Sequence, residues 1–171
     1  MIIGIDCTTR EGGLSISGDK YYQLEYVEDI SYRLKEENIR KHGDPIKEIL
    51  ITEGPGSFTS LRVGLTIAKA ISIPDNIPIY GYNTFEAISE DFDNGTIIPL
   101  IHARNRVVYV SHYEKTNGEK NTVFMNRVMQ IDDVLRYIKD LDGTPVITGS
   151  GAYINRKILE KNGIKETMHT P

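Results

Sequence analysis

The sequence predicts an α/β fold in which a mixed sheet is flanked by helices, and three observations carry that prediction. The first thirty residues hold three short strand-like runs, separated by polar or glycine-bearing turns, as in strands paired as hairpins. From position 48 onward, apolar runs of strand length alternate with segments of helical spacing, the order expected of strands joined by crossover helices. A chain of 171 residues with 39% apolar side chains can bury a core as one domain or two small lobes.

The strand-like pieces lie near 2 to 6, 13 to 17 and 21 to 27, with Glu11-Gly12-Gly13 and Gly18-Asp19-Lys20 between them. A helix follows from about Asp29 to Lys41, ended by Gly43 with Pro45 just beyond. Its apolar positions, Ile30, Leu34 and Ile39, make a thin stripe. A strand at 48 to 52 leads through a glycine-rich turn into a second helix from about Phe58 to Ser72, which Pro74 stops. Then come a strand at 78 to 81, a helix at 84 to 91, and strands near 96 to 101, 107 to 113 and 121 to 129. A helix from Asp132 to Leu141, a strand at 145 to 148 and a helix after Gly151 complete the order. No sequence repeat, low-complexity stretch or long linker interrupts it.

Composition narrows the function classes. No run approaches the ~18 apolar residues of a membrane span, and the N-terminus enters a strand without a basic, apolar leader, so a soluble cytoplasmic protein is expected. One cysteine permits no internal disulfide, and the histidines at 42, 102, 112 and 169 lack metal-ligand spacing, so no metal site and no cofactor are expected. A formal charge of −4 without a lysine/arginine block argues against a chain that grips a polyanion by itself. The most basic stretch, Arg33 to His42, mixes Lys35, Arg40 and Lys41 with Glu36 and Glu37, the pattern of a solvated helix face.

The most informative segment runs from Gly54 to Leu65, Gly54-Pro55-Gly56-Ser57-Phe58-Thr59-Ser60-Leu61-Arg62-Val63-Gly64-Leu65. A glycine-rich turn that delivers the chain onto a helix N-terminus leaves backbone N–H groups that can hold an anion, be capped by Ser57 or Thr59, or shape a surface another protein reads. It is not a Walker A loop, because no Gly-Lys-Ser/Thr closes it, and it lacks the spacing of a dinucleotide fingerprint. The helix it opens is apolar nearly all round: Leu61, Leu65 and Ala68 on one side, Val63, Ile67, Ala70 and Ile71 on another. Such a helix is normally sandwiched between two layers. Ser60, Gly64 and Ala68, four residues apart, form a ridge of small side chains suited to close packing against a second backbone. Either the chain's own elements or a partner helix can cover it.

This segment resembles the GPGSFTGLR signature of the bacterial TsaB (YeaZ) family, and the resemblance extends along most of the chain. Ile2 to Thr9 is similar to that family's first strand and Asp-Thr-Ser-Thr turn, and Ile79 to Ala87 to its strand, cap and helix. Ile101 to Tyr109 resembles its Asp-Ala-Arg…Glu-Val-Tyr strand pair, with His102 in place of Asp and Val108 in place of Glu. Thr148-Gly149-Ser150-Gly151-Ala152 resembles its Gly-x-Gly-Ala turn. The resemblance implies an actin-like ATPase (ribonuclease H-like) fold, with an N-terminal lobe at 1–95 and a smaller, shortened C-terminal lobe at 96–171. It also implies an accessory subunit, not itself an enzyme, that pairs with the catalytic subunit TsaD, together with the ATPase TsaE, and supports threonylcarbamoyl transfer to the adenosine 3′ of the anticodon in tRNA. Contact with tRNA would be indirect, and the isolated chain would form a homodimer. The expected partner or dimer interface comprises Ser57, Phe58, Ser60, Leu61, Arg62, Gly64, Leu65, Ala68 and, from the first helix, Leu34, with Gly54, Pro55, Gly56 and Thr59 as the motif loop.

Two departures bear on the interface. Ser60 replaces the family's glycine, and the first helix is less apolar than the family's.

The alternative is a small actin-like kinase or phosphotransferase acting alone, with Asp6 at a strand end followed by Thr8 and Thr9. An aspartate there is also an ordinary turn cap, and no second phosphate loop with a matched carboxylate is evident. Ser57 has no base in evident reach and reads as a helix cap, Arg62 pairs either with a partner's acid or with Glu53, and His102 is assigned no chemistry. An anion-sensing turn at Gly56 to Thr59 is the third class.

Overall fold

The alternation in β1 (Ile2–Asp6) turns Ile3 and Ile5 to one face, where both are fully buried. β1 pairs antiparallel with β2 (Gly12–Ile16), and β2 with β3 (Lys20–Leu24), so the three predicted pieces do form a meander. The computed structural model describes residues 1–17, 20–39 and 45–164. The turn expected at Gly18 and Asp19, the continuation of the first helix to Lys41, its stop at Gly43, and His42 and His169 lie outside the described residues.

Helix α1 (Asp29–Glu36) buries Ile30 and Leu34 and leads to β4 (Glu48–Gly54), which lies parallel to β1 with Ile3 opposite Ile49 and Ile5 opposite Ile51. Helix α2 (Phe58–Asp75) then returns the chain to β5 (Ile79–Asn83), parallel to β4. The sheet order is β3-β2-β1-β4-β5. Its core is aliphatic, with Ile3, Ile5, Leu14, Ile30, Ile49 and Ala68 at its centre. Each fully buried isoleucine or leucine there contributes about 1.5–3 kcal/mol of transfer free energy. Helix α2 outruns its expected stop at Ser72. Pro74 sits in its final turn, where the missing N–H costs one bond, and Asn76 ends the helix in the left-handed region (φ 51°), its N–H donating to the Ser72 carbonyl.

The chain divides into two compact units, Met1–Thr84 and Phe85–Pro171, whereas the sequence alone suggests lobes at 1–95 and 96–171. Helix α3 (Thr84–Ser89) spans the division, and its Phe85 is fully buried against Ile97, Ile101 and Tyr113, which ties it to the second unit. That unit is built on long antiparallel strands, β6 (Gly95–Arg104), β7 (Val107–Thr116) and β8 (Glu119–Gln130). Asn117 (φ 53°) and Gly118 (φ 81°) make the two-residue left-handed turn that matches strand twist between β7 and β8. Helix α4 (Ile131–Lys139) leads to β9 (Val146–Thr148), parallel to β6, and α5 (Ser150–Lys161) follows, with sheet order β8-β7-β6-β9.

Both units therefore repeat one succession: three antiparallel strands, a helix, a strand parallel to the first, and a helix.

Two polar clusters brace the second unit. Glu90 accepts from Lys115 (3.2 Å) and Lys120 (2.8 Å), and these bonds hold its carboxyl below the usual glutamate range. The buried His112 lies between the Tyr137 hydroxyl on α4 and the Glu114 carboxylate, 2.6 Å from each. With His112 neutral, a single tautomer satisfies both, Nε2–H donating to Glu114 and Nδ1 accepting from Tyr137. Burial raises the Tyr137 phenol, so the cluster reads as a strut between β7 and α4.

Candidate interaction surface

The turn between β4 and α2 closes against the β1–β2 turn. A Cβ on Gly56 would lie 2.6 Å from the Thr8 carbonyl oxygen, so only glycine allows the two backbones to approach this closely. The Ser57 N–H donates to that carbonyl (2.7 Å), and Ser57 Oγ accepts from the Ser60 N–H (3.4 Å) as the N-cap of α2. Two of the donors that a helix start offers to an anion are thus engaged inside the chain. Ser57 is the cap that its place after two glycines predicts.

Beside this turn, one Asp6 carboxylate oxygen accepts from the Thr8 N–H (3.0 Å) and the Thr52 hydroxyl (3.3 Å), and Thr52 Oγ1 accepts from the Cys7 N–H (3.0 Å). Asp6 is thus an ordinary turn cap, and it joins β1 to β4. Tyr21 and Tyr82, which no sequence motif marks, feel its charge. Burial first and Asp6 second raise both phenols above their ordinary value. Burial likewise pushes the Cys7 thiol up, opposed by its hydrogen bond with Thr52 and reinforced by Asp6.

The small-residue ridge of α2 faces inward. Ser60, Gly64 and Ala68 are buried against the chain's own sheet, and a Cβ on Gly64 would lie 2.5 Å from Cys7 Sγ. Their place in the expected partner interface is therefore corrected: they are buried within this chain, and the close approach that Gly64 permits is to Cys7, directly after β1. Leu34 is corrected with them, being buried in the same core. Leu61 packs on that core half-buried, Gly54 is buried, and Pro55, Gly56 and Ser57 are half-buried in the turn.

What α2 turns outward is a different set. Phe58 is 73% exposed, Leu65 40% and Ile73 74%, with Thr59, Arg62 and Lys69 exposed beside them. Positions 58, 62, 65, 69 and 73 follow the period of 3.6 and make one stripe along the helix. Lys69 and Ile73 are absent from the expected interface because a helix apolar nearly all round gives no face priority; the 58-62-65-69-73 spacing was the available signal. Next to the stripe, Phe58, Thr59, Arg62, Val63, Thr66 and Ile67 line a shallow groove. The Arg62 guanidinium lies over the Phe58 ring at 5.1 Å rather than pairing with Glu53.

In the second unit, Thr148-Gly149-Ser150-Gly151 is the turn from β9 into α5. It packs on β6, where a Cβ on Gly149 or Gly151 would strike the Leu100 backbone. Ser150 Oγ accepts from the His102 N–H (3.2 Å), and His102 itself is half-buried. Among the described residues no helix is long and apolar enough to cross a membrane, and no group of three His, Cys, Asp or Glu is placed to hold a metal ion.

Residues 30–160 match the family model described as TsaD: tRNA N6-adenosine threonylcarbamoyltransferase. Among relatives, the chain is 29% identical over 118 residues to the tRNA threonylcarbamoyladenosine biosynthesis protein TsaB of Bacillus subtilis, covering 67% of this chain and 51% of that one. The chain belongs to the TsaD family, on its TsaB (YeaZ) side. A TsaB of Buchnera aphidicola subsp. Schizaphis graminum is 25% identical over 188 residues, covering 96% of this chain and 84% of the relative. The chain thus spans about half the length of the Bacillus relative and most of the Buchnera one. The structure of YeaZ from Pseudomonas aeruginosa superposes with a TM-score of 0.60 at 16% identity, over 91% of this chain and 78% of that one. The TsaB-side fold is the actin-like ATPase fold expected from the sequence, with mixed sheets flanked by helices.

Proposed function

We propose that this TsaB-like chain is a cytoplasmic, non-catalytic accessory subunit in tRNA threonylcarbamoyladenosine biosynthesis. It pairs through the outward face of α2 with the catalytic subunit TsaD, in an assembly that TsaE joins, and reaches tRNA only through that assembly. The observation that carries this reading is the exposed stripe of Phe58, Leu65 and Ile73 on a helix whose other face is committed to the core. Exposed apolar side chains that recur along one face of a surface helix are the mark of a helix that docks in a partner's groove. The non-catalytic part is supported at the strand ends, where an Asp6 oxygen and the Ser57 N–H are both engaged in holding β1, β4 and α2 together. The whole complex's activity would then be supported by a coupling between binding surface and catalytic site rather than by a group on this chain.

The experiment mixes the purified chain with TsaD and TsaE of the same organism, tRNA and threonylcarbamoyl-adenylate, and follows both complex formation and tRNA modification. A complex and modification that both fail with Leu65→Asp support the reading; modification indifferent to the chain overturns it. The kinase alternative predicts instead that the isolated chain binds ATP with magnesium and loses that binding with Asp6→Ala.

A further inference from the structure

Helices α1 and α2 both pack on the face of the first sheet that carries Ile3, Ile5 and Ile49. Its strands β1, β4 and β5 run parallel, and parallel strands are ordinarily covered on both faces. The second unit meets that rule. There α4 and α5 lie on the side of Ile98, Leu100 and Val108, and Phe85 of α3 is buried on the other side, against Ile97, Ile101 and Tyr113. In the first unit neither α1 nor α2 covers the second face, and Ile2, Tyr21 (63% exposed) and Tyr80 (52%) project from it.

The strand register gives this face its relief. Tyr21, Ser15, Gly4, Leu50 and Tyr80 lie opposite one another in one row across β3, β2, β1, β4 and β5. Side chains are large at the margins and small or absent on β1 and β2, so the row is a trough floored by Gly4 and Ser15. A Cβ on Gly4 would strike the Ser15 hydroxyl, and glycine within a strand commonly marks the close approach of another backbone. The walls on β3 and β4 stand three strand spacings apart, about 14 Å, which admits a helix about 10 Å across lying along the strands. The strands carry two charges on this face, Glu48 beside Ile2 and Asp6 about 13 Å further along, and both are acidic.

A second copy fits this face poorly, because trough against trough leaves both floors empty and brings four carboxylates together. A polynucleotide is repelled by the same acids. We propose that the open face of the first sheet receives an amphipathic helix of a partner protein. Its apolar ridge fills the trough between Tyr21 and Leu50, and two Lys or Arg side chains about nine residues apart meet Glu48 and Asp6. The site lies on the opposite side of the sheet from α2 and does not rest on the reading of that helix as the face for TsaD.

The test titrates the full chain, by calorimetry, with a synthetic helix about four turns long that carries a Leu and Phe ridge and Lys near both ends, and with the same peptide carrying Glu in their place. The Lys peptide is expected to bind saturably and the Glu peptide roughly tenfold more weakly. Tyr80→Ser lowers a wall and Ser15→Tyr fills the floor, and each should weaken the Lys peptide about tenfold. Urea unfolding checks that each variant folds, and Tyr80, being exposed, supplies the result if Ser15→Tyr does not fold. Glu48→Lys should narrow the preference between the two peptides. No saturable binding, or binding that a folded Tyr80→Ser leaves unchanged, would overturn the proposal. Equal affinity for the two peptides would overturn the basic partner. Self-association of the free chain in sedimentation velocity that Tyr80→Ser abolishes would overturn it in favour of a second copy.

Discussion

Replacing Gly64 by alanine separates the inward reading of the α2 ridge from an outward one. The added Cβ would stand 2.5 Å from Cys7 Sγ and 2.6 Å from Cys7 Cβ, against the ~3.5–4.0 Å of an ordinary carbon contact. Relief requires α2 to lift from β1 by about 1 Å, since the obstruction is the root of a buried side chain rather than a flexible tip. Overpacking of this kind costs about 1–3 kcal/mol, while the glycine-to-alanine change within a helix returns about 1 kcal/mol. A net loss of up to about 2 kcal/mol is therefore expected, read as a lower urea midpoint with an unchanged slope. Leu65→Ala, on the exposed stripe, should shift the midpoint far less. Gly64→Ala more stable than wild type by the full ~1 kcal/mol of helix propensity would refute the packing of α2 on Cys7, and would return the ridge of Ser60, Gly64 and Ala68 to the outer surface.

Stability should decline as pH rises above about 8.5, the ordinary thiol value, because a Cys7 raised in the fold keeps its proton where the unfolded chain releases it. In urea titrations across that range Cys7→Ser should flatten the decline, and an unchanged decline would remove Cys7 from the account. Glu90 is depressed, so its contribution is complete above the unfolded carboxylate value near ~4.3 and is lost as pH falls through its lower folded value. Hydrogen exchange of the β7–β8 hairpin in wild type and Glu90→Gln should differ at about pH 6 and converge in acid; equal protection at both would contradict the Lys115–Glu90–Lys120 brace. Removing the imidazole with His112→Ala cuts the Tyr137–His112–Glu114 chain and empties a buried site, and should cost about 1–3 kcal/mol, checked by urea unfolding. A cost near zero would show that the strut between β7 and α4 carries no load.

Much of the fold was legible because its signals are local. Ile3 and Ile5 alternate as a half-buried strand must, and Ser57 caps the helix after two glycines, whereas the expected end of α2 at Ser72 falls short of Asn76, because Pro74 is tolerated in the final turn. Other features depend on where chain-distant groups meet. That Phe85 belongs with Ile97, Ile101 and Tyr113, and so places the division before Phe85, follows from packing that no local period announces. The common succession of elements in the two units is hidden because their sequences, strand lengths and turns differ. The direction of the α2 ridge was open for the same reason. Gly64 tells a reader that something approaches closely, but only the meeting with Cys7 says it is the chain's own first strand. The exposed stripe could have been read in advance, since an arginine and a lysine at 62 and 69 among apolar residues already distinguish one face from the others.

The most direct test of the central claim is a reconstituted tRNA modification assay with TsaD, TsaE and threonylcarbamoyl-adenylate, run with and without this chain and alongside size exclusion of the mixture. The account predicts a complex with TsaD and modification that depends on the chain, both lost with Leu65→Asp and both retained with Asp6→Ala once that variant is shown to be folded. Modification that proceeds equally without the chain, or that a folded Asp6→Ala abolishes while the complex persists, would contradict it.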